Sequence, residues 1–430
     1  MIVKSKKQHA EIVTQSFQWL MFMIGTSIAL PIVIGNVFGL GETEISGLMQ
    51  RTLFLVALGS ILQKGMGHSL PIIEGPAGSW VSVFVVLAAF SKQNGLSLDE
   101  SLSIGMGSLA LAGGFLILMG LVKNRLFYQR VFPSLVSSVF LFLLAVQLSG
   151  IFFNGMIVKE EGDVDWKLTS LAFFVFAFIV FLSIRARGFG KQFSLLIGII
   201  VGWGMFAIFG GVSNPAGESS YRIHVPELLS WGEPTFNSSI VVATIMFSFT
   251  LILNNIAAVD SMYDVYDGKK IEKQDSIRKG FVVGGINHWL SSLFSALAIV
   301  PLPVTSGFVQ TAKQKSGLPF LIGASSLLII SFIPQVVNVV STLPVAVASA
   351  ALLSTIVNMF IIALKKMNAL ELRQREVTII GISVLSGSAL FFQSPELFAN
   401  LPGSLQIVMG NGLIVGTVVV IVMNFIWRQK

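Results

Sequence analysis

The stretch LPIIEGPAGSW, Leu70 to Trp80, decides how this chain folds. Long apolar runs flank it on both sides, yet here a carboxylate, Glu74, stands beside Gly75 and Pro76, with Gly78 two residues further on. In a bilayer every backbone donor and acceptor has to be satisfied by the protein itself. A Gly-Pro break at membrane depth is therefore expected only where other segments or a water-filled cavity cover it. The surroundings identify the depth. Of 430 residues 54% are hydrophobic and 11% charged, with 35 Phe and a mean hydropathy of +0.82, against roughly 25% charged in soluble domains. The chain reads as an all-α polytopic membrane protein with no soluble domain of useful size.

Working outward from that stretch, hydropathy divides the chain into fourteen crossings. They begin near Ile12, Gly47, Leu70, Ser101, Phe132, Leu168, Phe193, Ser239, Gly280, Leu302, Leu318, Leu343, Val377 and Leu405. The first lacks a small-residue cleavage site and runs on through Pro31, so it reads as a retained span and not a signal peptide. With the N-terminus cytoplasmic, all of the 28 basic residues except Arg51, Lys92, Lys159, Lys167 and Arg222 fall on the cytoplasmic side. One missed crossing would invert every later loop, so this asymmetry supports the count, places both termini in the cytoplasm and suits a cell (plasma or inner) membrane. The net charge of +7 thus reflects topology and not a nucleic-acid partner. The run DGKKIEKQDSIRKG, Asp267 to Gly280, mixes both signs as a solvated linker does.

Two crossings are poor spans. The third holds Glu74-Gly75-Pro76, and the tenth, PLPVTSGFVQTAK from Pro301 to Lys313, is short, with two prolines and a glycine. They sit third and tenth in two halves of seven, and because seven is odd the halves would be inverted. Gly/Pro-interrupted segments in corresponding positions point to a transporter site. FPSLVSSV (Phe132 to Val139) and LPVAVASA (Leu343 to Ala350) form a second such pair, each a proline followed by small residues that let helices approach closely.

Ionisable groups inside spans are expensive, roughly 2.5 to 3.5 kcal/mol each on insertion scales, and each is a candidate for function. Glu74 has two readings: a substrate or proton site, or a cap on the half-helix that Pro76 would start, where the positive helix end favours a carboxylate. Asn254, Asn255 and Asp260 bring amides and an acid into the eighth span, where Asn255 reads as a site residue or an interhelical hydrogen-bonding group, and Asp260 as a proton carrier or part of the interfacial run DSMYDVYDG. His288 suits either a helix-to-helix bond or a proton relay. Thr305, Ser306 and Gly307 would line the broken tenth span or satisfy their own backbone. Trp80 could stack on a flat ring or pack in the core, and Gln18 could line a cavity or bind helices together.

No metal-spaced His/Glu cluster, phosphate-cradling glycine loop or nucleophile elbow occurs, so an enzyme is not expected. Cysteine is absent, which excludes disulfides and thiolate metal sites. No cofactor is implied.

Taken together, the first span FQWLMFMIGTSIALPIVIG (Phe17 to Gly35), LPIIEGPAGSW, RVFPSLVSS and LPVAVASAALL resemble the nucleobase/ascorbate transporter family, or nucleobase:cation symporter 2, over essentially the whole chain. The resemblance implies a 7+7 inverted repeat with spans 3 and 10 built as a short strand plus half-helix. It implies a core domain from residues 1–122 and 238–335 and a gate domain from 123–237 and 336–430, with dimerisation possible. It also implies a nucleobase held between spans 3, 8 and 10 and driven by protons rather than Na+. The family's eighth-span glutamate falls on Asn255, its following acid or histidine on Val259 or, shifted by one, Asp260, and its tenth-span signature on Val304, Thr305, Ser306 and Gly307, where only the glycine survives. Its first-span Gln-His pair becomes Gln18-Trp19, and the aromatic of its third span becomes Trp80.

These departures suggest that the base-gripping carboxylate has moved to Glu74, with Trp80 stacking, Asn255 and Thr305 bonding, and half-helix N–H groups assisting. The expected cargo is a purine such as xanthine, hypoxanthine or urate, with uracil next. An anion carrier of the same architecture, for sulfate, bicarbonate or a carboxylate, is the alternative within transport, disfavoured by the charge of Glu74. A membrane sensor or scaffold is the alternative outside it.

Overall fold

Local sequence signals start and stop the helices where the bilayer requires them. In the computed structural model, which describes residues 2–123, 131–160, 163–209, 223–267, 272–312, 316–391, 393, 395–398 and 400–427, the chain opens with α1 (Ile2–Ser27) and α2 (Ala29–Val37). Pro31 has no N–H for the carbonyl four residues back, which puts the break between them at Ser27–Ile28. Then come α3 (Glu42–Gly65), β1 (Glu74–Pro76), α4 (Gly78–Gln93) and α5 (Leu98–Leu121). A reciprocal cap starts α5: Ser97 Oγ accepts from the Glu100 amide at 3.2 Å, while Glu100 Oε2 accepts from the Ser97 amide at 2.8 Å.

The next helix, α6 (Ser134–Met156), follows Pro133, whose missing N–H is no loss at a helix start. A two-residue ribbon, β2 (Lys159–Glu160) with β3 (Asp163–Val164), leads to α7 (Trp166–Arg185), α8 (Phe189–Gln192) and α9 (Ser194–Phe209). The second half runs through α10 (Ser238–Tyr263), α11 (Lys273–Leu293), β4 (Ile299–Pro301), α12 (Thr305–Ala312), α13 (Leu318–Ile330) and α14 (Pro334–Ser341). It ends with α15 (Val345–Asn368), α16 (Gln374–Phe391), α17 (Gly403–Met409) and α18 (Gly412–Ile426).

Among the described residues seven helices are long and apolar enough to cross a membrane, or up to nine if each bent pair is one span. The bent pairs are α13–α14, at 91°, and α17–α18, at 85°. The span expected from Leu405 is therefore bent: its long stretch begins only at Gly412, where Asn411 Oδ1 accepts from the amides of Leu413 and Ile414 and caps a new helix. Arg51, counted above with the outward-side loops, is instead buried on α3. Its guanidinium donates to the Ser295 carbonyl at 3.0 Å and to Ser230 Oγ at 3.2 Å and lies over Trp231, so the helix draws it inward as a tether. Arg125, Arg130, Arg222, Lys269, Lys270, Lys313, Lys315, Arg428 and Lys430 lie outside the described residues.

The two broken segments meet at the centre. β1 and β4 pair antiparallel, with Glu74 opposite Pro301, Gly75 opposite Val300 and Pro76 opposite Ile299. Backbone bonds extend the ladder at each end, from the Ala77 amide to the Ala298 carbonyl (2.8 Å) and from the Leu302 amide to the Ile73 carbonyl (2.9 Å). This pairing satisfies chain that would otherwise lie unbonded in lipid. Gly75 is required here, since a Cβ would run into the side chain of Leu302. Around this centre α5 packs on α11 with Gly113 and Gly285 in backbone contact, and α6 packs on α15.

Candidate functional site

A cavity of about 100 Å³ lies beside the strand pair. One wall comes from the broken segments and their supports: Gly25 and Thr26 of α1, Pro76, Gly78 and Ser79 where β1 passes into α4, Asn254 of α10, and Val300, Leu302, Pro303 and Val304 around the end of β4. The opposite wall is apolar and comes from α6 (Leu144, Leu148, Phe152) and α15 (Ala351, Leu352, Ile356, Met359), with Thr355 as its polar point. Gly78 is where the walls touch: a Cβ there would stand 3.0 Å from Leu148. Among the described residues that line the cavity none is charged.

Asn254 is the most strongly placed polar group on that wall. Its Nδ2 donates to the Pro301 carbonyl at 3.0 Å, tying α10 to the end of β4. A second space of about 310 Å³ adjoins the first, with Thr26, Leu195, Val304 and Thr355 lining both. It holds Ser306, Gly307, Gln310 and Asn358, and at its mouth Lys191 and Lys365. Lys191 is on α8 and Lys365 in the last turn of α15, and both are among the basic residues expected from the sequence on the cytoplasmic side.

The residues singled out from the sequence separate into four places. Ser306 and Gly307 line the second space. Thr305 is buried with Oγ1 accepting from the Ile73 amide at 3.4 Å, and the first amides of α12, those of Thr305, Ser306 and Gly307, bond to Leu302, Pro303 and Val304 within their own turn. Thr305 and the first N–H groups of this half-helix, expected to face a ligand, are bonded within the chain, where they close the break. Ser306 Oγ likewise donates to the Pro303 carbonyl at 2.9 Å.

Trp80 and His288 form one buried unit. The indole Nε1–H donates to His288 Nε2 at 3.1 Å, and His288 Nδ1 lies 2.8 Å from the Gly284 carbonyl. An indole only donates and a carbonyl only accepts, so the imidazole is neutral with its proton on Nδ1. Trp80 also packs edge-on against Phe247, at 4.9 Å between ring centres. It lines neither space and is packed among side chains. Both nitrogens of His288 are committed, which argues against a relay through it.

Asn255, one position from Asn254, turns 100° away along the helix. It packs on Gly280 of α11, with Oδ1 buried and without a partner. Asp260 lies at the end of α10, 2.7 Å from Lys273 Nζ, in a partly exposed ion pair. Gln18 is half-buried on α1 and lines neither space.

Glu74 is fully buried but lines neither space. Its amide donates to Ser60 Oγ at 3.0 Å, Asn287 Nδ2 donates to its Oε2 at 3.3 Å, and His68 Nε2 stands 3.5 Å from Oε1. The carboxylate expected to grip a ligand thus faces other side chains and not either space. The polar groups it can reach belong to α3, the loop after it and α11, whereas the cavity wall across from β1 is hydrocarbon, and a buried carboxylate settles where donors are. The residue that sequence reasoning underweighted is Asn254. Its signal was the amide pair in an apolar helix, from which the neighbouring position is selected by alignment alone.

Comparison with known proteins follows from this geometry. Residues 10–396 match the family model of xanthine/uracil permeases, described as the Permease family. The chain belongs to that family. Its relatives are nucleobase/ascorbate transporters, and permeases are transporters and not enzymes. Over 98% of this chain and 97% of the other it is 28% identical to the provisionally named purine permease YwdJ of Bacillus subtilis (strain 168). Over 99% and 98% it is 23% identical to the uric acid permease PucK of the same strain. Among solved structures it is similar in fold to the transmembrane domain of a cyanobacterium bicarbonate transporter, BicA, with a TM-score of 0.64 at 15% identity, covering 95% of this chain and 96% of the other. It is also similar in fold to the murine Solute Carrier 26 family member A9 anion transporter, with a TM-score of 0.62 at 12% identity, covering 97% and 68%. This permease is an integral membrane protein of the fold those structures share.

Proposed function

We propose that this permease imports an uncharged nucleobase by alternating access, with a purine (xanthine, hypoxanthine or urate in its neutral form) preferred over uracil, and with protons as the coupling ion. The observation that carries the reading is the cavity between the paired broken segments and the α6–α15 wall. It has room for a small flat molecule, an amide and hydroxyls (Asn254, Thr26, Ser79, Thr355) on its edges, and no charge among its lining residues. Hydrocarbon faces take the rings while the polar edge reads N–H and C=O groups. The permeases named above, for purine and uric acid, support the same class.

In this reading the chain crosses the cell membrane fourteen times as two inverted halves of seven, with both termini cytoplasmic. Residues 1–122 and 238–335 act as a core that moves against a gate of 123–237 and 336–430. The cavity lies where they meet, and Lys191 and Lys365 mark the cytoplasmic exit. The fold neighbours are anion transporters, but an anion held at this cavity would lack a cationic partner among the lining residues.

Purified protein in proteoliposomes, given radiolabelled purines, pyrimidines, bicarbonate and sulfate with and without an uncoupler, tests the reading. Saturable, uncoupler-sensitive uptake of a purine is expected. Uptake of an anion alone, or none, would overturn it.

A further inference from the structure

Beside β1, among residues that line neither space, four buried polar side chains meet. Glu74, His68, Asn287 and Gln63 are each 0% exposed. His68 Nδ1 accepts from the Leu70 amide at 3.0 Å, so the ring proton of neutral His68 is on Nε2, facing Glu74 Oε1 at 3.5 Å. Gln63 is committed on both ends, its Oε1 to the His68 amide (3.3 Å) and its Nε2 to the Gly280 carbonyl (3.0 Å). Three atoms of the cluster are left with no hydrogen bond, the donor His68 Nε2 and the acceptors Glu74 Oε1 and Asn287 Oδ1, so one donor stands against two acceptors. Buried acceptors are normally paired, and a charged carboxylate at this depth is costly, so the cluster is short of one hydrogen.

Asn287 can serve both states of the acid. As it stands, its Nδ2 donates to a carboxylate oxygen. Turning the amide over brings Oδ1 to the same place, where it accepts from a protonated carboxyl. Other titratable groups point elsewhere. Lys64 of α3 donates to the Ser69 carbonyl at 2.7 Å, His288 of α11 is engaged with Trp80, β4 contributes Ile299, Val300 and Pro301, and α1 brings only Glu11 among its described side chains.

We propose that Glu74, His68 and Asn287, which line neither space, form a proton-holding site beside β1 whose occupancy sets how the broken segments present Asn254 to the base. This deepens the transport reading and rests on it. One proton from the outer side converts the Glu74 carboxylate to the acid, and the same proton leaves to the inner side after the base does. No other bond changes. The connection is short: Glu74 lies opposite Pro301 in the ladder, the Pro301 carbonyl holds Asn254, and Pro76, two residues along β1, lines the cavity. Coupling of this kind needs one element with two arrangements that both ligands bias, and the strand pair is that element.

The test uses the full chain in proteoliposomes with a pH dye inside. In the wild type, a proton gradient drives base accumulation, base entry carries protons in, and replacing sodium by choline changes nothing. Glu74→Gln, which mimics the acid, is expected to lose accumulation and proton movement while keeping base-for-base exchange at equal pH. His68→Gln is expected to keep exchange and reduce the protons moved per base, and it serves if the first variant does not insert. Proton-coupled accumulation that survives in both variants would overturn the proposal. So would loss of exchange in an inserted Glu74→Gln protein, which would make Glu74 part of the base site, and so would a sodium requirement. A wild type that moves no base would overturn the transport reading itself.

Discussion

Asn254 and Pro301 are joined by a 3.0 Å hydrogen bond from Nδ2 to a carbonyl at the last residue of β4. Proline carries no N–H, so the strand end offers only this acceptor, and the amide of α10 satisfies it while lining the cavity. One side chain thereby sets the distance between a continuous helix and a broken one.

Asn254→Ala should therefore weaken base binding about tenfold or more, since a lost amide contact combined with an unsatisfied buried carbonyl is worth about 1–3 kcal/mol. Asn255→Ala should leave affinity close to wild type, because its amide packs on Gly280. Competition of unlabelled base against a radiolabelled one in purified protein checks both. A larger loss at Asn255 than at Asn254 would refute the assignment.

Trp80→Phe separates packing from recognition. The indole N–H to His288 is lost while most of the ring contact with Phe247 remains. The expected result is a loss of about 1 kcal/mol in stability, read as a lower melting temperature in detergent, with base affinity unchanged. A selective loss of affinity would mean that the ring reaches the ligand after all.

How far the sequence reveals this arrangement depends on which physical constraint acts at each residue. The breaks at Glu74-Gly75-Pro76 and ahead of Thr305 are legible, because Gly and Pro alter the backbone itself and a bilayer leaves few ways to accommodate that. The direction of a side chain on a helix surrounded by apolar neighbours is not. In α10 buried polar residues lie on both faces, Thr250 one turn before Asn254 and Ser248 two turns before Asn255, so no single polar stripe tells one face from the other, and adjacent residues differ by 100°. Glu74 fails for a related reason. The groups that face it, Asn287 at 3.3 Å and His68 at 3.5 Å, come from distant parts of the chain or from a loop, and only the assembled fold shows that they converge.

Gly113 tests the tight crossing of α5 and α11. A Cβ there would stand 2.7 Å from the Gly285 carbonyl oxygen, a backbone contact that cannot give way, and 2.7 Å from the Trp289 ring. Gly113→Val is expected to destabilise the protein by about 1–3 kcal/mol or more, lowering its melting temperature and the fraction inserted. Gly114→Val, with open space at its Cβ, should behave like wild type. Equal behaviour of the two would show that the helices do not meet there.

Asp260 and Lys273 form an ion pair whose side chains are 25% and 47% exposed. Partly solvated pairs contribute about 0–1 kcal/mol and weaken with salt. Asp260→Asn is thus expected to leave both melting temperature and proton-to-base stoichiometry within error of wild type. A change in stoichiometry would move the coupling site from beside β1 to the end of α10.

The absence of cysteine from the chain allows the cavity to be mapped without altering any other position. Thr355 is half-buried and lines both the cavity and the space that opens toward Lys191 and Lys365. A thiol placed there as Thr355→Cys should react with a small thiosulfonate reagent and be protected by bound base. Asn255→Cys, held in the packed contact between α10 and α11, should stay unreacted with or without base. Labelling of Thr355→Cys that is the same in the presence and absence of a transported base would mean that the base binds away from the α6–α15 wall, and the assignment of this cavity would fall.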